Sequence, residues 1–402
     1  MGLPGLGSSV AGLEYAGSVE LPDRARVVII GGGVIGTSVA AHLAEAGVSD
    51  VVLLERDQLG AGSTCKAAGG VRASFSTAAN IAIGLRGLEI YSQFPERYGQ
   101  QIEFQRNGYI YLLSDQENVD VFTESVALQN AHGVPSRMVD PEEAQRISPL
   151  ISTEGLLAAS WSPNDARATP EAVVSGYASA ARRLGARLVT NCQVIGIESS
   201  GGAVRAVVTG HGRIETDTVI CAAGAWSAQI GAMVGIDLPV TPLRRQIAFT
   251  EPSADVPLQT PLTIDFPANF YFHPEGNGLL FGWSNPAEPP GFNLEFERDE
   301  WLGGFAETVL RRAPRILDFG IVSGWAGLYE DTPDHNQIIG RSDVVDGFLY
   351  ATGYSGHGFL MGPATGEIIR DLYLGRELAY DISEFDVRRF DTARLGNERN
   401  IV

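Results

Sequence analysis

Val27-Val28-Ile29-Ile30-Gly31-Gly32-Gly33-Val34-Ile35-Gly36 is the stretch from which the fold can be read. Four consecutive apolar residues, two of them valine and two isoleucine, predict a strand buried on both faces, as in a parallel sheet. Gly31, Gly33 and Gly36 then form GxGxxG. The first glycine permits a tight turn, the second lets a pyrophosphate reach the backbone, and the third lets helix and strand pack closely. Val34 and Ile35 open that helix. Val39, Ala40, Leu43 and Ala44 recur at helical spacing, and Gly47 suits a left-handed cap. A second apolar run, Val51-Val52-Leu53-Leu54, ends at Glu55, followed by Arg56. A carboxylate at the end of the second strand can accept hydrogen bonds from both hydroxyls of an adenosine ribose. Strand, glycines, helix, second strand and terminal acid together predict a dinucleotide site, where GxGxxG alone would not.

The chain has 402 residues, 44% of them hydrophobic, enough for a large core and one to three domains. A net charge of −19 and the absence of a basic stripe argue against nucleic acid as a partner. No apolar run approaches the roughly 18 residues of a membrane helix. Residues 1–24 are expected to be a flexible extension; they are rich in Gly, Ser and Leu and have no basic region of the kind that opens a signal peptide. Cys65, Cys192 and Cys221 are odd in number and widely spaced, so neither a disulfide framework nor a zinc site is expected. They fit a reducing, cytoplasmic setting. The six histidines show no metal-ligand spacing. Lys66 is the only lysine among the 29 lysines and arginines, which singles that position out.

Residues 57–72, including Gly62-Ser63-Thr64-Cys65-Lys66-Ala67-Ala68-Gly69-Gly70-Val71-Arg72, are small and Gly-rich. Such a loop can lie against a flat ligand, with Ser63 and Thr64 hydroxyls free for phosphate. Helices are expected over 77–94, 115–132 and from Thr169-Pro170 to Leu184. A hairpin turning at Asn107-Gly108 is expected over 104–113. A strand at 186–191 and a meander over 193–217 precede a buried strand that runs into Ala222-Ala223-Gly224-Ala225-Trp226. From 240 to 325, prolines and aromatic alternation predict an antiparallel sheet with one helix near 297–313. The final texture is strand, Gly-rich turn, helix: Phe348–Thr352, then Gly353-Tyr354-Ser355-Gly356-His357-Gly358-Phe359-Leu360.

In this order the motifs resemble the D-amino-acid-oxidase-type flavoproteins, over about residues 25–390. These include glycine oxidase, monomeric sarcosine oxidase, dimethylglycine dehydrogenase and the β subunits of heterotetrameric sarcosine oxidase and proline dehydrogenase. The resemblance implies an α/β chain, α+β overall, with a Rossmann-type FAD-binding domain and a discontinuous, mainly antiparallel β-sheet substrate domain. The expected division is 25–100, 150–239 and 324–390 for FAD, and 101–149 and 240–323 for substrate. By the same resemblance Gly31, Gly33, Val34, Ile35 and Gly36 hold pyrophosphate, and Glu55 and Arg56 the adenosine end. Ser63 and Thr64 reach phosphate, and Lys66, Ala67, Ala68 and Gly69 line the flavin. Val194 meets adenine, Ala223, Gly224 and Trp226 supply a second dinucleotide contact, and Gly356, His357, Gly358, Phe359 and Leu360 point amides at the flavin.

The departures sharpen the reading. Gly327 stands where monomeric sarcosine oxidase has its flavin-linking cysteine, and Lys66 where dimethylglycine dehydrogenase has its linking histidine, so FAD is expected to be non-covalent. Leu280 replaces an oxygen-activating lysine, Ser284 a histidine, Leu360 a carboxylate-gripping lysine, and Tyr329 an arginine of glycine oxidase. Arg72 remains as a candidate carboxylate clamp. Tyr271, Tyr329 and His357 complete the candidate catalytic set, with His273 and Trp283 as candidate pocket walls. Arg244-Arg245 reads as a solvated strand start. The expected reaction is oxidation of the C–N bond of an amino acid or secondary amine, with hydride passing from the α carbon to flavin N5 and the imine then hydrolysed in water. Oxygen or an electron-accepting partner takes the electrons, and an oligomer is possible. The alternatives are a β-like subunit of a multi-subunit amino acid dehydrogenase and a non-catalytic assembly protein.

Overall fold

The run Val27–Ile30 is a fully buried strand. It pairs in parallel with Val51–Leu54 on one side and Val219–Cys221 on the other. A computed structural model describes residues 20–391, 396 and 398–401. The first sheet has six strands in the order 338–341, 348–352, 219–221, 27–30, 51–54 and 187–189. The first pair in that order is antiparallel and the rest are parallel.

Alternation along these strands assigns the two faces. Val27, Ile29, Val51 and Leu53 pack under the helices Val34–Glu45, Pro170–Arg183 and Gly358–Leu374. Val28, Ile30, Val52 and Leu54 pack with the three-stranded meander of 194–200, 203–209 and 212–215. Both faces are covered, which is why the strands read as unbroken apolar runs.

The second sheet has eight strands, ordered 321–331, 241–250, 278–283, 270–275, 262–265, 109–113, 158–162 and 137–139. Only the 262–265 and 109–113 strands pair in parallel. One face carries Ala248, Phe270, Phe272 and Phe281 beneath Trp301 and Phe305 of the helix Arg298–Arg312, as the aromatic alternation predicts. The other face carries Arg245, Ile247, Tyr271, Ile264, Tyr111 and Tyr109, which stand opposite one another or two residues apart in register.

Three expectations are corrected. The 104–113 segment is not a hairpin. Gln105 bridges Arg167, and 109–113 pairs with 262–265 and 158–162, because those strands offer it a fully buried ladder. Residues 158–162 and 324–331 are expected with the dinucleotide unit, yet both belong to the eight-stranded sheet, the latter within the strand 321–331. Long-range pairing with 109–113 and 241–250 takes them there. Of the expected N-terminal extension, residues 1–19 lie outside the described residues. Leu21 packs on the core and Arg24 bridges Glu215.

Candidate functional site

A single elongated cavity runs from the first glycine turn to the inner face of the eight-stranded sheet. Every cofactor-binding and catalytic candidate expected from the sequence lines it except Gly36; the two candidate pocket walls, His273 and Trp283, do not. Gly36 lies behind the turn, where a Cβ would come within 1.9 Å of the Gly31 carbonyl oxygen. Gly31 has φ +112°, and a Cβ there would meet the Ala222 carbonyl oxygen at 2.2 Å, so only glycine serves. A Cβ on Gly33 would meet one atom, the side-chain Oγ1 of Thr64, at 3.0 Å.

Two helices begin on this cavity without a side-chain cap, Val34–Glu45 after Gly33 and Gly358–Leu374 after His357. Neither has an acid in its first turn. Helix starts with no cap from their own N-cap residue turn N–H groups and a positive dipole end toward the cavity, which suits phosphate and an anionic ring edge; of these groups Thr64 takes the Val34 N–H. These features fit an extended dinucleotide cofactor.

At the far end, Glu55 Oε2 accepts from the Gly32 N–H at 2.7 Å and Oε1 from the Asp57 N–H at 2.8 Å. The carboxylate is therefore fixed beside the turn. The Arg56 guanidinium lies 3.8 Å from the Trp226 ring centre, and Trp226 stacks on Phe292 at 5.4 Å. Val194, Ala223 and Gly224 complete this end.

The middle is the 62–70 loop. Ser63 is not free for phosphate: its hydroxyl donates to the Leu328 carbonyl at 2.6 Å. Thr64 Oγ1 accepts from the Val34 N–H at 3.1 Å and keeps its own proton to donate. A Cβ on Gly327 would meet Lys66 Cβ at 3.1 Å, so this strand and the Lys66 backbone pass close together. The Lys66 carbonyl accepts from Trp325 Nε1, and the His273 ring is held between the Ala68 carbonyl, 3.0 Å from Nε2, and the Pro274 carbonyl, 2.8 Å from Nδ1. His273 thus anchors the loop from behind instead of walling the cavity. Trp283 belongs to the other face, its carbonyl accepting from Trp301 Nε1.

At the sheet end, Tyr109, Tyr111, Tyr271 and Tyr329 line the cavity with Ile247, Leu262 and Ile264. Tyr271 lies over Gly282 and Tyr329 over Gly356; a Cβ on either glycine would enter the ring. Burial raises the pKa of Tyr271 and Tyr329 above the usual phenol value, so both remain hydrogen-bond donors.

Two expected catalytic residues behave otherwise. Arg72 lines the cavity but spends its guanidinium internally. Nη1 donates to the Ser74 carbonyl at 2.9 Å and Nη2 to the Asn400 carbonyl at 2.8 Å, and the group lies 3.8 Å from the Phe75 ring centre. His357 Nε2 meets Gln337 Oε1 at 3.0 Å. Gln337 uses its amide N–H on Asn80, so the imidazole proton sits on Nε2. Nδ1 is buried without a partner. Burial, then repulsion by Arg72, pushes its pKa well below 6.5, so the ring is neutral and a weak base.

Sequence reasoning missed Arg245, Glu330, Asn400 and Ile401, all of which line the cavity. The Arg244-Arg245 pair is not a solvated strand start. Arg244 is buried on the helix-covered face, forked to Glu288 and bonded to Glu297. Arg245 faces the cavity, as two-residue alternation requires. Burial pushes the Glu330 carboxyl up to about 7, against hydrogen bonds from the Gly353 N–H and the Thr352 hydroxyl. Among the described residues, no group of three or more His, Cys, Asp or Glu could hold a metal ion.

The family profile described as FAD dependent oxidoreductase (DAO) matches residues 26–372. Mitochondrial dimethylglycine dehydrogenase of Mus musculus is 30% identical over 92% of this chain and 45% of its own length. Mitochondrial sarcosine dehydrogenase of Homo sapiens is 28% identical over 96% of this chain and 43% of its own. The chain therefore spans about half the length of the curated relatives it matches. Among solved structures, L-proline dehydrogenase from P. horikoshii is similar with a TM-score of 0.87 and 33% identity, covering 94% of this chain and 100% of that one. Glycine oxidase from Geobacillus kaustophilus gives 0.82 and 26%, covering 93% and 100%.

Proposed function

The chain belongs to the DAO family of FAD-dependent oxidoreductases, and from that premise we propose that it oxidises the C–N bond of a small amine carrying a carboxylate. An N-methylated glycine or a cyclic secondary amino acid such as proline fits best. One observation carries the reading. The cavity joins two helix starts, each without a first-turn acid, to a pocket of tyrosine hydroxyls, apolar side chains and cations.

Gly31 to Ile35 would hold the pyrophosphate, Glu55 the ribose, and Arg56, Val194 and Trp226 the adenine end. The 66–69 loop and the amides of residues 356–360 would hold the flavin. FAD, when bound, supplies the hydride acceptor for the C–H beside the amine. The chain's own contribution is orientation and electrostatics. Ile247, Leu262, Ile264 and Ile401 exclude water. The low dielectric and the nearby Arg72, Arg245 and Lys66 disfavour an ammonium, so the amine binds in the neutral form whose lone pair assists C–H cleavage. Tyr271 and Tyr329 hold their protons and can donate to substrate. No dedicated base is required, which agrees with the neutral, weakly basic His357.

The cofactor is held without a covalent bond, a reading supported by Gly327 and Lys66. A dehydrogenase passing electrons to a partner is favoured over an oxidase by the apolar Leu280. Three free thiols support a reducing, cytoplasmic location, and no helix among the described residues is long and apolar enough to cross a membrane. Anaerobic incubation with N-methylglycine, N,N-dimethylglycine, proline, glycine and D-alanine tests the reaction. Bleaching of the flavin absorbance by at least one is expected, and bleaching by none would overturn it. Peroxide on admitting air would overturn the dehydrogenase reading.

A further inference from the structure

We propose that Arg245, and not Arg72, is the residue that grips the substrate carboxylate. The inference rests on the amine-oxidation reading above and assigns the anion end of that substrate.

Arg245 sits on the 241–250 strand, directly opposite Gly327 in register. Its side chain therefore shares a face with Gly327 and Tyr329, the face that lines the cavity. The guanidinium carbon stands 5.0 Å from the Tyr329 ring centre. Of its five N–H donors, one is given to a protein acceptor, the backbone carbonyl of Arg244 at 3.1 Å. Nε is buried with no partner at all. Among the described residues no carboxylate lies within ion-pairing distance of it, whereas Arg86, Arg97, Arg167, Arg244, Arg312 and Arg389 each have one. A half-buried guanidinium that lines the cavity, with one N–H given to a protein acceptor and no carboxylate beside it, is a fork awaiting a planar anion.

Arg72 has the opposite character. Two of its donors are committed to the Ser74 and Asn400 carbonyls, and one face is stacked on Phe75. Its burial, 6% exposed, is consistent with a fixed structural part. Of the other two cations lining the cavity, Arg56 lies over Trp226 at the nucleotide end, and Lys66 is a point charge on the loop that would face the cofactor.

The acids lining the cavity support the same direction. Glu55 and Asp57 are at the nucleotide end, with Glu55 held by backbone amides. Glu330 follows Tyr329 on the strand, points to the other face, and is tied to Thr352 and Gly353. The Arg245 end thus has no counter-charge for a permanently cationic amine. It selects against polyamines and quaternary ammonium compounds and for a carboxylate, flanked by the Tyr271 and Tyr329 hydroxyls.

The test titrates the wild-type holoenzyme with cyclopentanecarboxylate and its neutral partner cyclopentanecarboxamide, read as a perturbation of the visible flavin spectrum. The acid is expected to bind far more tightly than the amide. Arg245→Gln should weaken the acid roughly 100-fold and leave the amide little changed, the scale of losing one partner of a buried charge pair. Arg245→Lys, which keeps the charge but not the fork, should weaken the acid roughly 10-fold, and it serves if the glutamine variant fails to retain flavin. Arg72→Gln should preserve the preference for acid over amide. An unchanged preference in both Arg245 variants, no preference in the wild type, or a preference lost only in Arg72→Gln would each overturn the proposal. Failure of every amine to bleach a wild-type flavin that still prefers the acid would instead overturn the reaction and leave the role of Arg245 standing.

Discussion

Arg72 donates from Nη2 to the backbone carbonyl of Asn400, 328 positions away in sequence, at 2.8 Å. That bond, together with Glu398, fastens the 398–401 segment over the cavity. Glu398 accepts from the Ser76 N–H and hydroxyl, the Asn80 amide and the Asn400 N–H. Arg72→Gln is expected to cost about 2–4 kcal/mol of unfolding free energy in urea titration, since it orphans buried carbonyls and uncovers Phe75. It should also speed protease cleavage near the end of the chain.

Gly36 and Gly33 should separate folding from cofactor binding. Gly36→Ala places a Cβ 1.9 Å from a backbone oxygen, and should cost several kcal/mol or abolish soluble expression. Gly33→Ala meets only a side-chain oxygen at 3.0 Å and should fold, but the added methyl enters the pyrophosphate cradle. Its FAD dissociation constant, measured by apoprotein reconstitution, should rise at least tenfold.

Asp165 should give the protein a pH-dependent stability. The carboxyl is fully buried; burial lifts its pKa from 3.8 to about 6, although Ser74 and the Ala73 N–H bond to the charged form. The folded state holds this proton more tightly than the unfolded chain. Stability therefore falls as pH rises from about 4 to about 6, by roughly 3 kcal/mol in all, and the cost is complete above that range. Asp165→Asn should flatten this portion of the stability-versus-pH curve, measured by denaturant unfolding at pH 4.5, 5.5 and 6.5. An unaltered slope would exclude Asp165 as its source.

Acid precipitation should leave a colourless pellet and a yellow supernatant, because neither Lys66 nor Gly327 offers the linking side chains of the related flavoproteins. Colour retained in the pellet would identify another attachment.

The cofactor half of the site was legible because its demands are local. A turn that admits a phosphate needs glycines at fixed offsets, and a ribose acceptor must end the next strand, so Gly31, Gly33 and Glu55 announce themselves within thirty residues. The opposite end depends on which strands become neighbours. Asn107-Gly108 carries a strong hairpin signal, yet the following strand found better partners at 158–162 and 262–265. Alternation shows that Arg244 and Arg245 face opposite ways. Only the register with Gly327 and the ion pair to Glu288 reveal which is spent and which is available. The surroundings of Arg72 were hidden for a related reason: beside the nearby Ser74 carbonyl, its second acceptor is the Asn400 carbonyl, 328 positions away.

The cavity wall begins at Ile30 and is completed by Ile401. On a ribosome, the glycine turn would emerge long before the last wall is made. A nascent chain could form the first strand, turn and helix, but could not enclose a flavin until the segment carrying Asn400 and Ile401 had been synthesised and brought back to the glycine turn. Cofactor capture therefore waits on residues some 370 positions beyond the motif that announces it, and a transcript truncated before them would yield a chain that displays the nucleotide motif without ever turning yellow.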